Sequence, residues 1–335
     1  MRTDTEALRG VRPPETRDRA MEIPGGWHVT ADARLQAMKP TAASTAQLQS
    51  ASYVLPVEDK AFLLRDEMRA MRLVLEYSKA DLLLRDWGIR STLIVFGSSR
   101  IPSPETAQNA NQNASQNASQ NTSTAGDPVE PESAARLSRQ LAWYNAAREF
   151  GRIASLRGGA FAPHHRWRDN VIATGGGGGI MEAANRGASE AGAPSIGFNI
   201  ALPTVQQPNP YTTPELTFRF QYFAMRKMHL AMRANALAIF PGGFGTIDEL
   251  FELLTLRQTQ KSPPIPIVLF DRAYWRRIIN FEALVSEGMV AACNLDLLAY
   301  ADSPDELWQT MLQQGLRTPT ADSETGSAAP VRGEL

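Results

Sequence analysis

The hydrophobic positions of this 335-residue chain form short apolar runs separated by longer stretches of helical spacing. Five runs, Leu93–Phe96, Val171–Thr174, Ile196–Ile200, Ala236–Phe240 and Ile265–Phe270, are β-rich and closed by Gly or Pro, the signature of short strands. Helical spacing fills the intervals over Ser133–Leu156, Ile180–Ala191, Ala224–Arg233 and Thr246–Gln260, and a final helical pair is expected from Tyr274 to Leu316. Strand and helix in alternation predict an α/β fold: a Rossmann-like, doubly wound, mostly parallel sheet. Ahead of it, Phe62, Leu63, Met68, Met71, Leu75, Leu82 and Leu83 recur at helical spacing between charged residues. They predict an added N-terminal helical segment over 56–87, one long or two short helices leaning on the core.

Polar composition marks what lies outside that domain of 56–320. Residues 1–50 are rich in Pro, Thr, Ala and Arg without an apolar period and read as a mobile extension, and 321–335 read as a tail. Residues 105–127, dominated by Asn, Gln, Ala and Ser, interrupt the pattern and cannot bury enough apolar surface to offset the entropy of ordering them, so a disordered insertion is expected. Asn113, Asn117 and Asn121 each head a glycosylation sequon there, but no leader for a secretory route is evident.

Charge and cysteine content narrow the functional classes. A formal net charge of -1 provides no global field for nucleic acid or anionic lipid, so any polyanion site must be local. No apolar run reaches the roughly 20 residues that a membrane-spanning helix requires. The lone Cys293 has no Cys or His at zinc spacing, and the adjacent His164 and His165 make no convincing metal pair. A cytoplasmic protein without metal or cofactor is expected.

Three strand ends open into loops of small residues: Gly97-Ser98-Ser99-Arg100, Gly175 to Gly179, and Pro241-Gly242-Gly243-Phe244-Gly245-Thr246. In an open parallel sheet the carboxyl ends of the strands form the ligand crevice. Glycine there lets backbone N–H groups approach an anion, and the helix that follows adds its positive end. The expected phosphate cradle is Gly97, Ser98, Ser99, Gly175, Gly176, Gly177, Gly179, Gly242, Gly243, Gly245 and Thr246, with Lys227 as a possible second cation. A dinucleotide is disfavoured because Ile180 stands where the third fingerprint glycine belongs and the next strand carries no acid. No Gly-Lys-Ser/Thr follows any glycine cluster, which disfavours P-loop chemistry. A mononucleotide fits best.

The segment Tyr222-Phe-Ala-Met-Arg226-Lys227-Met-His229, followed by a strand and Pro241-Gly-Gly-Phe-Gly-Thr-Ile-Asp-Glu249, resembles the motifs of the LONELY GUY (LOG) family, long labelled lysine decarboxylase-like. The similarity spans roughly residues 90 to 310. Ser195-Ile-Gly-Phe-Asn-Ile and Pro208-Asn-Pro-Tyr211 look like its extended bacterial branch, which usually has Pro where this chain has Gly178. The resemblance implies a phosphoribohydrolase acting on purine nucleoside 5′-monophosphates, AMP or a cytokinin riboside 5′-monophosphate, with Arg226 and Glu249 matching the catalytic pair.

That chemistry leaves an electron-poor sugar, which a carboxylate stabilises or supplies with activated water. Glu249 is the candidate, although Thr246 and Glu249 also have capping-box spacing, a purely structural use. Asp248 and Glu252 are expected to be partners of a helix dipole. Arg226 offers a permanently charged planar fork. A decarboxylase would need pyridoxal phosphate on a lysine, and only Lys227 lies near a site loop. The alternative from another class is a non-catalytic nucleotide sensor or carrier. The apolar helices suggest a homodimer or larger even assembly.

Overall fold

The computed structural model describes residues 44–109, 112, 131–161, 167–203 and 207–319. The expectations for 1–43, for most of the Asn/Gln insertion, for His164 and His165, and for the tail from 321 lie outside the described residues. Contacts divide the chain into two compact units between Ser78 and Lys79.

The first unit contains short helices at Thr45–Leu48, within the stretch expected to be mobile, and at Lys60–Leu63. Asp59 supplies a side-chain cap, its carboxylate accepting the Phe62 N–H at 2.9 Å. Arg72 donates to the carbonyls of Leu63 and Arg65 at 2.8 and 2.6 Å, tying the short helix to the first turn of α1 (Arg69–Asp86).

The second unit, from Lys79 onward, is built on a seven-stranded sheet of β1 (Thr92–Phe96), β2 (Val171–Thr174), β3 (Ile196–Ile200), β4 (Thr217–Phe220), β5 (Ala234–Ile239), β6 (Ile267–Phe270) and β7 (Ala299–Ala301). The order is β4-β3-β2-β1-β5-β6-β7 and every pairing is parallel. Consecutive strands run outward from β1 to β4, and the chain then returns to β5 on the other side of β1. The switch point of this doubly wound fold therefore lies between β1 and β5, paired in register from Leu93↔Ala236 to Phe96↔Ile239.

Strands buried on both faces sort their side chains by a period of two. Ile94, Phe96, Val171, Ala173, Leu237 and Ile239 enter one core with Phe198, Leu253 and Trp275. Leu93, Val95, Ile172, Ala236 and Ala238 enter the other with Tyr144, Phe150, Ile180 and Trp308. The crossovers that cover these faces are α2 (Pro131–Arg157), α3 (Ile180–Glu190), α4 (Phe223–Ala231), α5 (Phe244–Gln258), α6 (Arg272–Ile278), α7 (Phe281–Ser286) and α8 (Pro304–Gln313).

Three expectations are corrected. The final helical pair is instead α6, α7, a 3₁₀ turn over Ala292–Leu297, β7 and α8; β7 has three residues, too few for a period to register. On α1, Leu82 is exposed, whereas Ala80, Asp81 and Leu84 are buried. An acid was tolerated on the inner face because Asp81 pairs with Arg85 at 2.8 Å and with Arg233. The insertion is also helical over 104–109, and Glu105 pairs with Arg186 at 2.9 Å.

Candidate functional site

Because β2, β1 and β5 are neighbours, their carboxyl ends bring the three small-residue loops side by side at the switch point. The Gly97-Ser98 turn ties the other two together: Ser98 N–H donates to Pro241 O at 3.0 Å, and Ser98 O accepts from Ile180 N–H at 3.1 Å. Small size is required at the seams. A Cβ on Gly97 would stand 2.6 Å from Ile180, and one on Gly179, whose φ is +67°, would stand 2.2 Å from Ser98 O. The Ser98 hydroxyl accepts the Arg100 N–H at 3.1 Å and so shapes the turn, beside Ser99.

The glycine loop after β2 is held from behind. Gly176 O accepts from Asn209 N–H and Asn199 Nδ2, at 2.9 and 3.0 Å, and Gly177 O accepts from Asn209 Nδ2 at 3.0 Å. Asn185 links the set, its Oδ1 accepting from Thr174 Oγ1 and Asn209 Nδ2. With the carbonyls held from that side, the N–H groups of Gly177, Gly178 and Gly179 donate no hydrogen bond among the described residues. Sequence reasoning assigned no role to Asn185, Asn199 and Asn209, although the last two stand in the Ser195–Ile200 and Pro208–Tyr211 segments that carried the resemblance.

The third loop opens α5 without a side-chain cap. Gly243 is the N-cap, and among the described residues the N–H groups of Gly243, Phe244 and Gly245 donate no hydrogen bond. Gly243 and Gly245 face open space, whereas Gly242 lies so close to Thr246 that a Cβ would be 2.1 Å from Oγ1. The helix begins at Phe244, which places Thr246 in its first turn rather than at the cap, so the capping box suggested by spacing does not form and Glu249 is not used in it.

Glu249 sits one turn further along, 6% exposed. Burial pushes its carboxyl up to about 7, and the nearby charges of Lys227 and Arg226 oppose that rise. Arg226, on α4, donates Nε–H to Phe198 O at 2.7 Å, and its Nη2 lies 2.2 Å from where a Cβ on Gly175 would stand. Burial lowers its basicity and the Glu249 charge partly restores it. An acid and a guanidinium are thus electrostatically coupled, with the guanidinium against the first glycine of the loop.

Lys227 turns elsewhere. Its ammonium lies 2.7 Å from Asp248 and 2.8 Å from Glu252, so these acids serve a cation of α4 rather than the α5 dipole. Burial alone would depress its pKa, but the two carboxylates outweigh that and raise it. His229 is fully buried, stacks on Phe198 at a ring-centroid distance of 6.2 Å and lies tilted against Phe220 at 5.5 Å. Among the described residues no three His, Cys, Asp or Glu side chains converge as a metal site, and no helix is long and apolar enough to cross a membrane.

Fold and site together define a doubly wound α/β protein with an open set of backbone donors at the switch point of its sheet. Residues 181–311 match the family described as possible lysine decarboxylase. The chain is 31% identical over 110 residues to the probable cytokinin riboside 5′-monophosphate phosphoribohydrolase LOG4 of Oryza sativa subsp. japonica, covering 32% of this chain and 47% of that protein. It is 29% identical over 84 residues to the cytokinin riboside 5′-monophosphate phosphoribohydrolase LOG3 of Arabidopsis thaliana, covering 24% and 39%. The match therefore spans less than half the length of these curated relatives. Among solved structures, the X-ray structure of TM1055 aligns with a TM-score of 0.39 at 20% identity, over 67% of this chain and 99% of that one.

Proposed function

We propose that the chain hydrolyses the N-glycosidic bond of purine nucleoside 5′-monophosphates, AMP or a cytokinin riboside 5′-monophosphate, giving free base and ribose 5-phosphate. The observation that carries this reading is the buried Glu249 carboxyl, poised near neutrality and coupled to the Arg226 guanidinium that rests on Gly175.

In this reading the free N–H groups of Gly177–Gly179 and Gly243–Gly245 hold the 5′-phosphate, each at the start of a helix whose dipole favours an anion. As the bond from C1′ to the base nitrogen breaks, positive charge develops on the sugar and ionised Glu249 stabilises it or takes a proton from the attacking water. The hydroxyl of that water ends on C1′, and the base leaves with a proton. Arg226 cannot deprotonate, so it serves as a fixed charge that holds phosphate or polarises the departing base. Lys227 supports the site by fixing α4 to α5 through Asp248 and Glu252. An ammonium stabilised by two carboxylates is a poor Schiff-base nucleophile, which argues against the decarboxylase label.

A chromatographic screen of nucleoside monophosphates for liberated base and ribose 5-phosphate tests the reading. Wild type is expected to release both from at least one purine nucleotide, and Glu249→Ala and Arg226→Ala to lose at least about a hundredfold in kcat/KM while remaining folded. Binding without turnover in wild type would replace this reading with a nucleotide carrier. Assembly belongs to the same proposal: an open cavity of about 510 Å³ bordered by Ile247, Phe251 and Leu256 beside Lys227 suits a homodimer formed on the outer face of α5. Light scattering is expected to give an even multiple of the chain mass, and a monomer excludes this.

A further inference from the structure

Glu182 stands in the first turn of α3, directly above the glycine loop, and has no part in the chemistry assigned to Glu249. One of its oxygens is fixed: Oε1 accepts the hydroxyl proton of Tyr144, a fully buried side chain, at 2.8 Å. Burial raises the Tyr144 pKa, so this hydroxyl stays a donor at any working pH. The other oxygen is open. It faces the glycine loop: Oε2 would be 3.9 Å, an ordinary contact distance, from a Cβ on Gly178. Among the described residues Oε2 accepts no hydrogen bond. Arg186, one turn along the helix, pairs with Glu105 and Glu190 at 2.9 and 3.0 Å, lies over the Tyr211 ring and also bears on the Tyr144 hydroxyl, but forms no ion pair with Glu182 among the described residues.

Resting on the nucleotide reading above, we propose that Glu182 is the residue that recognises the sugar, its Oε2 accepting hydroxyl protons of the ribose 2′,3′-diol while Tyr144 holds it in place. A fixed carboxylate beside an anion cradle repels phosphate, so its ligand must donate protons, and the donors adjoining the phosphate of a nucleotide are the ribose hydroxyls. The consequence is selectivity for ribose over deoxyribose: a site built to accept a hydroxyl proton discriminates against the analogue that lacks it.

The test is calorimetric binding of ribose 5-phosphate, 2-deoxyribose 5-phosphate and inorganic phosphate to the full chain, with and without EDTA. Wild type is expected to prefer ribose 5-phosphate by about tenfold or more, the worth of one charge-assisted hydrogen bond. Glu182→Gln is expected to bring that ratio close to one and to leave inorganic phosphate binding unchanged or slightly stronger. Tyr144→Phe is expected to fall between them, since it loosens the carboxylate without removing it. Glu182→Asp, which withdraws the carboxylate by one methylene, gives a second variant if Glu182→Gln fails to fold.

An unchanged ratio in both Glu182 variants overturns the proposal and leaves the nucleotide reading standing. Parallel loss of all three ligands assigns Glu182 to loop structure and also overturns it. Loss of ribose selectivity on adding EDTA replaces the diol with a bridging cation. Failure of wild type to bind any of the three ligands overturns both readings.

Discussion

At the scale of single residues, two adjacent glycines make opposite demands. Gly179 has φ +67°, and a Cβ there would collide with Ser98 O, so Gly179→Ala is expected to cost at least about 2 kcal/mol and to open the seam between the loops. Gly178 is not in the left-handed region, and the nearest atoms to a Cβ would be Ser99 O and Glu182 Oε2, at 3.8 and 3.9 Å, ordinary contacts. Gly178→Ala is therefore expected to stabilise by about 0.5 kcal/mol, because it restricts the unfolded chain at no cost to the native one. Urea unfolding of the two variants decides this, and a destabilised Gly178→Ala contradicts the geometry. Position 178, where the sequence departs from the proline that its resemblance leads one to expect, thus lies where the backbone tolerates a side chain.

Elements differ in how they treat their own ends, and this bears on function. Ser303 caps α8, accepting the Glu306 N–H at 3.2 Å, and Asp271 caps α6 in the same way at 2.8 Å. α5 has no such cap: Gly243, with φ -98° and ψ -150°, holds an extended conformation open to any residue and has nothing near a Cβ. Gly243→Ser is expected to install the missing acceptor and stabilise the protein by a few tenths of a kcal/mol, while raising the Kd for inorganic phosphate because a donor has been taken. Thermal unfolding paired with phosphate titration reads both; tighter phosphate binding would mean that this helix start does not face the anion. The same loop shows what the sequence could disclose. Gly and Pro punctuation with short apolar runs was enough to locate β1, β2, β3, β5 and β6, because strands buried on two faces are nearly continuous apolar segments. It missed β4, where Thr217-Phe-Arg-Phe220 places an exposed Arg219 on a four-residue edge strand, and it misjudged α1, whose buried Asp81 is compensated by Arg85 and by the distant Arg233. For the candidate site, the glycine loops and the Arg226 and Glu249 positions stood out in the sequence as motifs. The asparagine set that holds the loop did not, since the hydrogen bonds joining Thr174, Asn185 and Asn209, and Asn199 to Gly176, have no local period.

For the whole molecule, Glu249 links stability to acidity. Its carboxyl is raised from 4.5 to about 7 in the folded chain. A group with a raised folded pKa binds its proton more tightly when native than when unfolded, so stability falls as pH climbs from about 4.5 to about 7 and levels off above that. The shift corresponds to about 3 kcal/mol over the whole window. Glu249→Gln, neutral at every pH, lacks this slope: near pH 4.5 it should match wild type, and at pH 8 it should be more stable by up to about 3 kcal/mol. Denaturant unfolding at the two pH values reads the difference, and parallel pH dependence in both proteins would show that this carboxyl is not the buried acid. Activity should move the other way, with kcat/KM rising through pH 7 as Glu249 ionises. Under the proposed hydrolysis, the protein is least stable where its carboxylate would meet a positively charged sugar, because the burial that disfavours the ionised form is what a developing cation there would relieve.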